Sequence, residues 1–309
     1  MRRVVLLGPQ RFEPTLAATL DSLGCGEPLA VVSAGWQERE EETEELNAHV
    51  GRELVNLRLY HRTEEVVAED EALGGALRQR QEQMQRVQEL YRSRLALGLQ
   101  AVRELLGYPG SNRFVEAHRR AAIRAVRTLD RQHLVQVRRI HEEFDERWKP
   151  LERDSVRRHR EQIAESLGTC AAVVISGGHV AVLINKIRLF ALGEFACAAP
   201  VVAWSAGAMA VTERIVLFHD SPPQGPGDPE VLDWGLGICT GVVALPHASR
   251  RLRLDDPLRV SILSRRFAPS LCVPFDAGAR LDWDGQNWIP SSGTRVLGRR
   301  GALRRMVTS

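Results

Sequence analysis

The sequence predicts an α/β protein: a three-layer α/β/α domain on a mostly parallel sheet, interrupted by a long helical insertion. Three observations predict it. Short β-branched runs such as "RRVVLLGP" and "CAAVVISGG" end in small-residue turns and lead into helically spaced segments. The first run and the next along the chain, "PLAVVSAGWQ", are joined by about a dozen residues of helical spacing, which is a parallel βαβ unit. Between about Val66 and Glu165 β-branched clusters become few and Arg, Glu, Gln, Leu and Ala take over.

The elements follow in order. Residues 2–9 read as a buried strand closed by Gly-Pro, and 12–24 as a helix capped at Gly24. "PLAVVSAGWQ" (28–37) reads as a second buried strand. The insertion carries apolar residues at helical spacing, Leu77, Met84, Val87, Leu90 and Tyr91 first, then Leu95, Leu99, Val102 and Leu106. "GYPGSN" (107–112) breaks that run, Phe114 to Phe144 continue it, and Lys149-Pro150 marks a further break. This gives two or three long helices. The domain boundaries are thus 1–65 and 166–309 for a discontinuous α/β domain and 66–165 for the insertion, which reads as an oligomerising arm or a lid and as separable from the core. The α/β pattern resumes at 170–192 and again at "APVVAWSAGAMAVTERIVLF"; a strand follows near Gly241–Leu245, and two short strands lie in 271–285.

The 309 residues are 44% hydrophobic and 26% charged, enough for one large or two ordinary cores. A net charge of +3 gives no overall case for nucleic acid, and the Arg119-Arg120 and Arg138-Arg139 pairs read as solvated helix faces. Five scattered cysteines, with no C-x-x-C, read as reduced thiols. The N-terminal apolar run is too short for a signal segment, and no stretch approaches the roughly 18 residues of a membrane span. A cytoplasmic protein without membrane partners is expected, with no cofactor and no metal.

"VVAWSAGAMA" (201–210) puts a serine between a buried strand and a string of very small residues. A nucleophile elbow needs that arrangement: a strand, a sharp strained turn holding the nucleophile, and a helix that must approach the strand closely. Ala203-Trp204-Ser205-Ala206-Gly207 fits small-x-Ser-x-Gly. Gly177-Gly178, at the end of another strand, is either a plain tight turn or a source of free N–H groups for an oxyanion. Gly178 and Ala206 are the natural donor pair. His247, after the strand near Gly241–Leu245, is the candidate base, and Asp220 the acid that orients it, with Asp276 as its rival.

"VVISGGHVAVLI" and "PVVAWSAGAMAV" together resemble the peptidase E and cyanophycinase group of serine peptidases, over roughly residues 1–60 and 166–290. That resemblance implies a class I glutamine amidotransferase-like fold. Ser205-Ala206-Gly207-Ala208 matches the family's elbow, and Pro246-His247 its base segment. Asp220 falls in the register of the peptidase E aspartate. The cyanophycinase Asp-Glu pair reads Asp276-Ala277 here, and the family's Asn or Asp after the glycine pair is His179. Gly177 and His179 are read as substrate-binding, and the likeness to cyanophycinase, whose arginines after the histidine contact the substrate, implies the same for Arg251 and Arg253, although the two arginines also fit a solvated cluster.

The expected function is a metal-free serine hydrolase cleaving a peptide or isopeptide amide, possibly beside an acidic residue, through Ser205, His247 and Asp220. Serine rather than cysteine at the elbow argues for direct hydrolysis over ammonia transfer. The alternatives are an inactive relative acting in binding or assembly, and an α/β-hydrolase esterase, against which the scarcity of strands after Ser205 speaks.

Overall fold

The structure is a computed structural model that describes residues 3–195, 199–220 and 227–307. Cys197 and the Ser-Pro-Pro turn after Asp220 lie outside the described residues.

The first βαβ unit is present: β1 (Val4–Leu7), α1 (Leu16–Leu23) and β2 (Leu29–Val32). Gly24 closes α1 at φ 64°, the left-handed cap its position suggested. β2 is shorter than the predicted 28–37, because residues 34–39 curl into a short 3-10 turn whose Gly35 carbonyl accepts the His179 N–H at 2.7 Å. A small helix α2 (Glu44–Val50) and an edge strand β3 (Leu54–Asn56) follow.

The insertion comes next: α3 (Leu59–Glu69), α4 (Glu71–Gly107), α5 (Arg113–Trp148) and α6 (Asp154–Thr169). α4 and α5 form an antiparallel hairpin, each roughly 55 Å long at 1.5 Å per residue. Its corner is the "GYPGSN" break. Asn112 caps α5 by accepting the N–H groups of Phe114 and Val115, each at 3.0 Å. At the other end Lys149 turns to φ 44° ahead of Pro150.

The chain then re-enters the sheet through β4 (Ala172–Ile175), α7 (Val180–Leu189), α8 (Leu192–Phe195), β5 (Val201–Trp204) and α9 (Ala206–Val211). The rest is β6 (Arg214–Leu217), β7 (Glu230–Trp234), β8 (Val242–Pro246), α10 (Ala248–Arg251), α11 (Pro257–Phe267), β9 (Leu271–Phe275), β10 (Arg280–Trp283), β11 (Trp288–Pro290), β12 (Arg295–Leu297) and β13 (Leu303–Arg305). The main sheet has seven strands in the order β11-β10-β1-β5-β4-β2-β3, with β1 to β5 mutually parallel and β10 and β11 antiparallel. Among the described residues the stretch after Ser205 thus holds eight strands, more than the sequence suggested, yet of these β10 and β11 alone join the main sheet. The others pair among themselves as β6-β7, β8-β9 and β12-β13.

Alternation along the central strands makes the three layers. Val5, Leu7, Val31, Val174 and Val202 face α1 and α2 in one apolar cluster. Val4, Leu6, Ala30, Val32, Val173, Ile175 and Ala203 face the other way into a larger cluster containing α7, α9 and the helical hairpin. Both faces are covered, so these strands read as unbroken apolar runs.

The hairpin shares that core rather than hanging from it. Asp130 of α5 accepts two bonds from the Arg266 guanidinium of α11, at 2.7 and 2.8 Å, and one from the Tyr91 hydroxyl of α4 at 2.8 Å. Arg266 is 2% exposed and also reaches the Pro229 carbonyl at 2.5 Å. The Trp234 indole donates to the Leu134 carbonyl at 3.0 Å. Cutting out the arm would expose these partners, which a reading of composition alone could not foresee.

Candidate active site

β5 ends at Trp204 and α9 starts at Ala206, leaving one residue for the turn. Ser205 takes φ 50°, ψ −117°, a sparsely populated backbone region for a residue with a side chain. The neighbours explain the small residues around it. A Cβ on Gly207 would lie 2.3 Å from the Ile175 carbonyl oxygen and 2.8 Å from that of Ser176, so α9 abuts the end of β4. A Cβ on Gly177 would lie 3.0 Å from Ser205 Cβ and 3.6 Å from its Oγ. Gly177 therefore sits directly against the serine.

Gly178 adopts φ 107°, and a Cβ there would meet the Gly35 carbonyl oxygen at 2.2 Å. Among the described residues no hydrogen bond engages the Gly178 N–H. The Ala206 N–H, at the first position of α9, has no intrahelical acceptor either. One N–H group comes from the turn after β4 and the other from the first residue of α9, next to Ser205.

His247 arrives from a different ladder. β8 and β9 run parallel, apart from the main sheet, and His247 leaves the carboxyl end of β8 with φ 57° and its N–H on the Phe275 carbonyl at 2.9 Å. Its Nε2 lies 3.4 Å from Ser205 Oγ. Burial, followed by the positive charges of Arg251 and Arg250, holds the imidazole below its ordinary value of 6.5, while Asp276 pulls the other way. The ring is therefore neutral, with a free lone pair, at neutral pH.

The acids sit elsewhere than expected. Asp220 is buried and binds the Arg259 guanidinium, and it accepts the Arg253 N–H at 2.8 Å. Its own N–H donates to the Arg251 carbonyl at 2.7 Å. Asp220 thus braces the segment after His247 instead of the imidazole. Asp276 accepts the N–H and hydroxyl of Ser249, at 2.9 and 2.8 Å, and acts on His247 through space. Among the described residues no carboxylate hydrogen-bonds the His247 ring.

Ser205, His247, Gly177, Gly178, Ala206 and Arg251 line one cavity of about 750 Å³. His179 and Arg253 do not. His179 caps α7, its Nδ1 accepting the Val182 N–H at 3.3 Å, and Arg253 points outward to Asp256 at 3.5 Å. The sequence reading missed Gln10 and Arg11 after β1, and Trp36 after β2, which also line the cavity. The rule that sites form beyond the carboxyl ends of parallel strands would have found them.

No family model matches the chain, and no curated protein matches it. Among solved structures, a crystal structure of a peptidase from an acI-B1 Actinobacterium is similar at 14% identity, with 97% of this chain and 91% of that chain covered and a TM-score of 0.45. Among the described residues no helix is long and apolar enough to cross a membrane.

Proposed function

We propose that the chain is a serine hydrolase of amide bonds, related to the peptidase E and cyanophycinase group, with Ser205 as nucleophile and His247 as its base. The observation that carries this reading is the 3.4 Å approach of His247 Nε2 to a serine held in a strained strand-to-helix turn. Ser205 Oγ attacks the carbonyl carbon and its proton passes to His247 Nε2. The Gly178 and Ala206 N–H groups receive the oxyanion. Collapse of the tetrahedral intermediate expels the amine, which takes the proton from His247. Water then attacks the acyl-serine, gives a proton to the same nitrogen, and the acid leaves as Ser205 recovers its hydrogen.

In this reading Asp276 supports the imidazolium electrostatically and Asp220 fixes the turn that carries Arg251. Arg251, on the cavity wall beside His247, favours substrates with a carboxylate next to the scissile bond, since a guanidinium can meet a carboxylate with two parallel bonds. The test is labelling with a fluorophosphonate, followed by acidic and neutral dipeptides assayed beside esters. Labelling that survives Ser205→Ala removes the mechanism. Ester turnover without amide turnover selects the esterase reading instead.

A further inference from the structure

The active-site cavity is not the sole hollow in the molecule. A second one, of about 640 Å³, opens between the hairpin and the core, walled by α4, α5, α7 and β7. Arg80 of α4 reaches into it and is 8% exposed. Among the described residues its guanidinium has no hydrogen bond and no ion pair. It stacks on the Phe144 ring, Cζ 4.3 Å from the centroid.

We propose that this crevice binds a small monoanionic organic acid, with its carboxylate on Arg80 and its apolar body between the walls. The Arg80 stem is buried while its nitrogens open onto the crevice without a protein acceptor, whereas Arg266, the other arginine buried to this degree among the described residues, holds Asp130. Burial pushes Arg80 down to about 10, with Arg188 adding to the effect and Asp145 and Asp233 opposing it. It stays charged at neutral pH. Arg188 cannot serve as the acceptor's second clamp, because Asp233 and the Trp234 carbonyl occupy it.

The walls set the class of ligand. Phe144, Ile187 and Leu236 are apolar and suit a hydrocarbon body. At the rim Arg138 lies over the Trp234 ring, 4.3 Å from its centroid, and leaves a second positive edge toward the crevice. Glu142 and Asp145 also line it and oppose a doubly charged group such as phosphate. The buried Nδ1 of His141, without a partner, adds a polar point on the same wall. The proposal does not rest on Ser205 or on hydrolysis.

Calorimetric titration with 4-phenylbutyrate, its neutral amide and inorganic phosphate tests it, using the wild type and Arg80→Met, Arg138→Glu and Arg251→Ala. The expected result is saturable binding of the carboxylate below about 1 mM, with the amide and phosphate at least about tenfold weaker. Arg80→Met should weaken the carboxylate roughly 10- to 150-fold, the usual range for losing a charged hydrogen bond, and Arg138→Glu should weaken it less. Arg251→Ala should leave it unchanged, since Arg251 belongs to the other cavity. Methionine keeps an unbranched apolar stem of similar length against Phe144, so Arg80→Met should leave Tm nearly unchanged. Equal binding by Arg80→Met, loss confined to Arg251→Ala, or no saturable binding by the wild type overturns the site. So does a clear fall in the Tm of Arg80→Met, which would make Arg80 a packing residue, with Arg138→Glu then binding like the wild type.

Discussion

Ser205 Oγ and His247 Nε2 stand 3.4 Å apart, although they lie 42 residues apart in the chain and belong to different β-ladders. Each comes from a residue with positive φ at the carboxyl end of a parallel strand. Two strained turns therefore aim the two side chains at one point, and their backbone sets the pairing rather than a third side chain. Ser205→Ala should abolish hydrolysis, a loss on the order of 10⁴-fold or more, and leave Tm nearly unchanged, because alanine inherits the same strained backbone. Steady-state kinetics together with thermal melts check both halves.

His247 must be neutral to act as a base, and its pKa lies below 6.5. The kcat/KM profile should therefore rise with pH along an acid limb whose midpoint is below 6.5. Arg251→Ala removes a positive neighbour and should move that midpoint up. Asp276→Asn removes a negative one and should move it down. A pH-rate series on the three proteins reads the sign directly, and a substitution that merely loosened the fold would lower the rate without moving the midpoint.

Acidic substrates add a second test of Arg251. If its guanidinium meets a substrate carboxylate, Arg251→Ala lowers kcat/KM by roughly 10- to 150-fold on acidic dipeptides and far less on neutral ones. Arg253→Ala, whose side chain faces Asp256 outside the cavity, should change neither. Equal losses on both substrate sets for Arg251→Ala would give the arginine a structural role.

Substitutions at Gly177 and Gly178 should separate in their effects. Gly177→Ala puts a methyl 3.0 Å from Ser205 Cβ, at an ordinary φ, so activity falls with little loss of stability. Gly178→Ala adds positive-φ strain and a collision with the Gly35 backbone, so it should cost about 1–3 kcal/mol of stability as well. Urea denaturation beside the activity assay distinguishes them.

Asp130→Asn leaves the Arg266 charge buried with reduced compensation. A loss of about 3–5 kcal/mol is expected, the usual cost of removing one partner of a buried pair. Asp220→Asn should be milder, because Arg259 keeps Asp228 at 3.1 Å. It should also retain more of its activity than a triad acid would, and a fall near 10⁴-fold would instead return Asp220 to the imidazole.

The sequence by itself determined the layered sheet, the insertion and the serine turn. Buried parallel strands must be apolar on both faces, long helices must show their period, and close backbone approach admits only small residues; each leaves a local trace. Gly207 and Gly177 are legible for that reason. Tertiary structure alone decided the rest. Asp220 keeps its local appearance whether it faces His247 or Arg259, because an ion pair is chosen by what folding brings near, and Arg259 lies 39 residues away. The docking of the hairpin through Asp130 and Arg266, 136 residues apart, left no local signal, since both read as ordinary charges on amphipathic helices until burial removes the water around them.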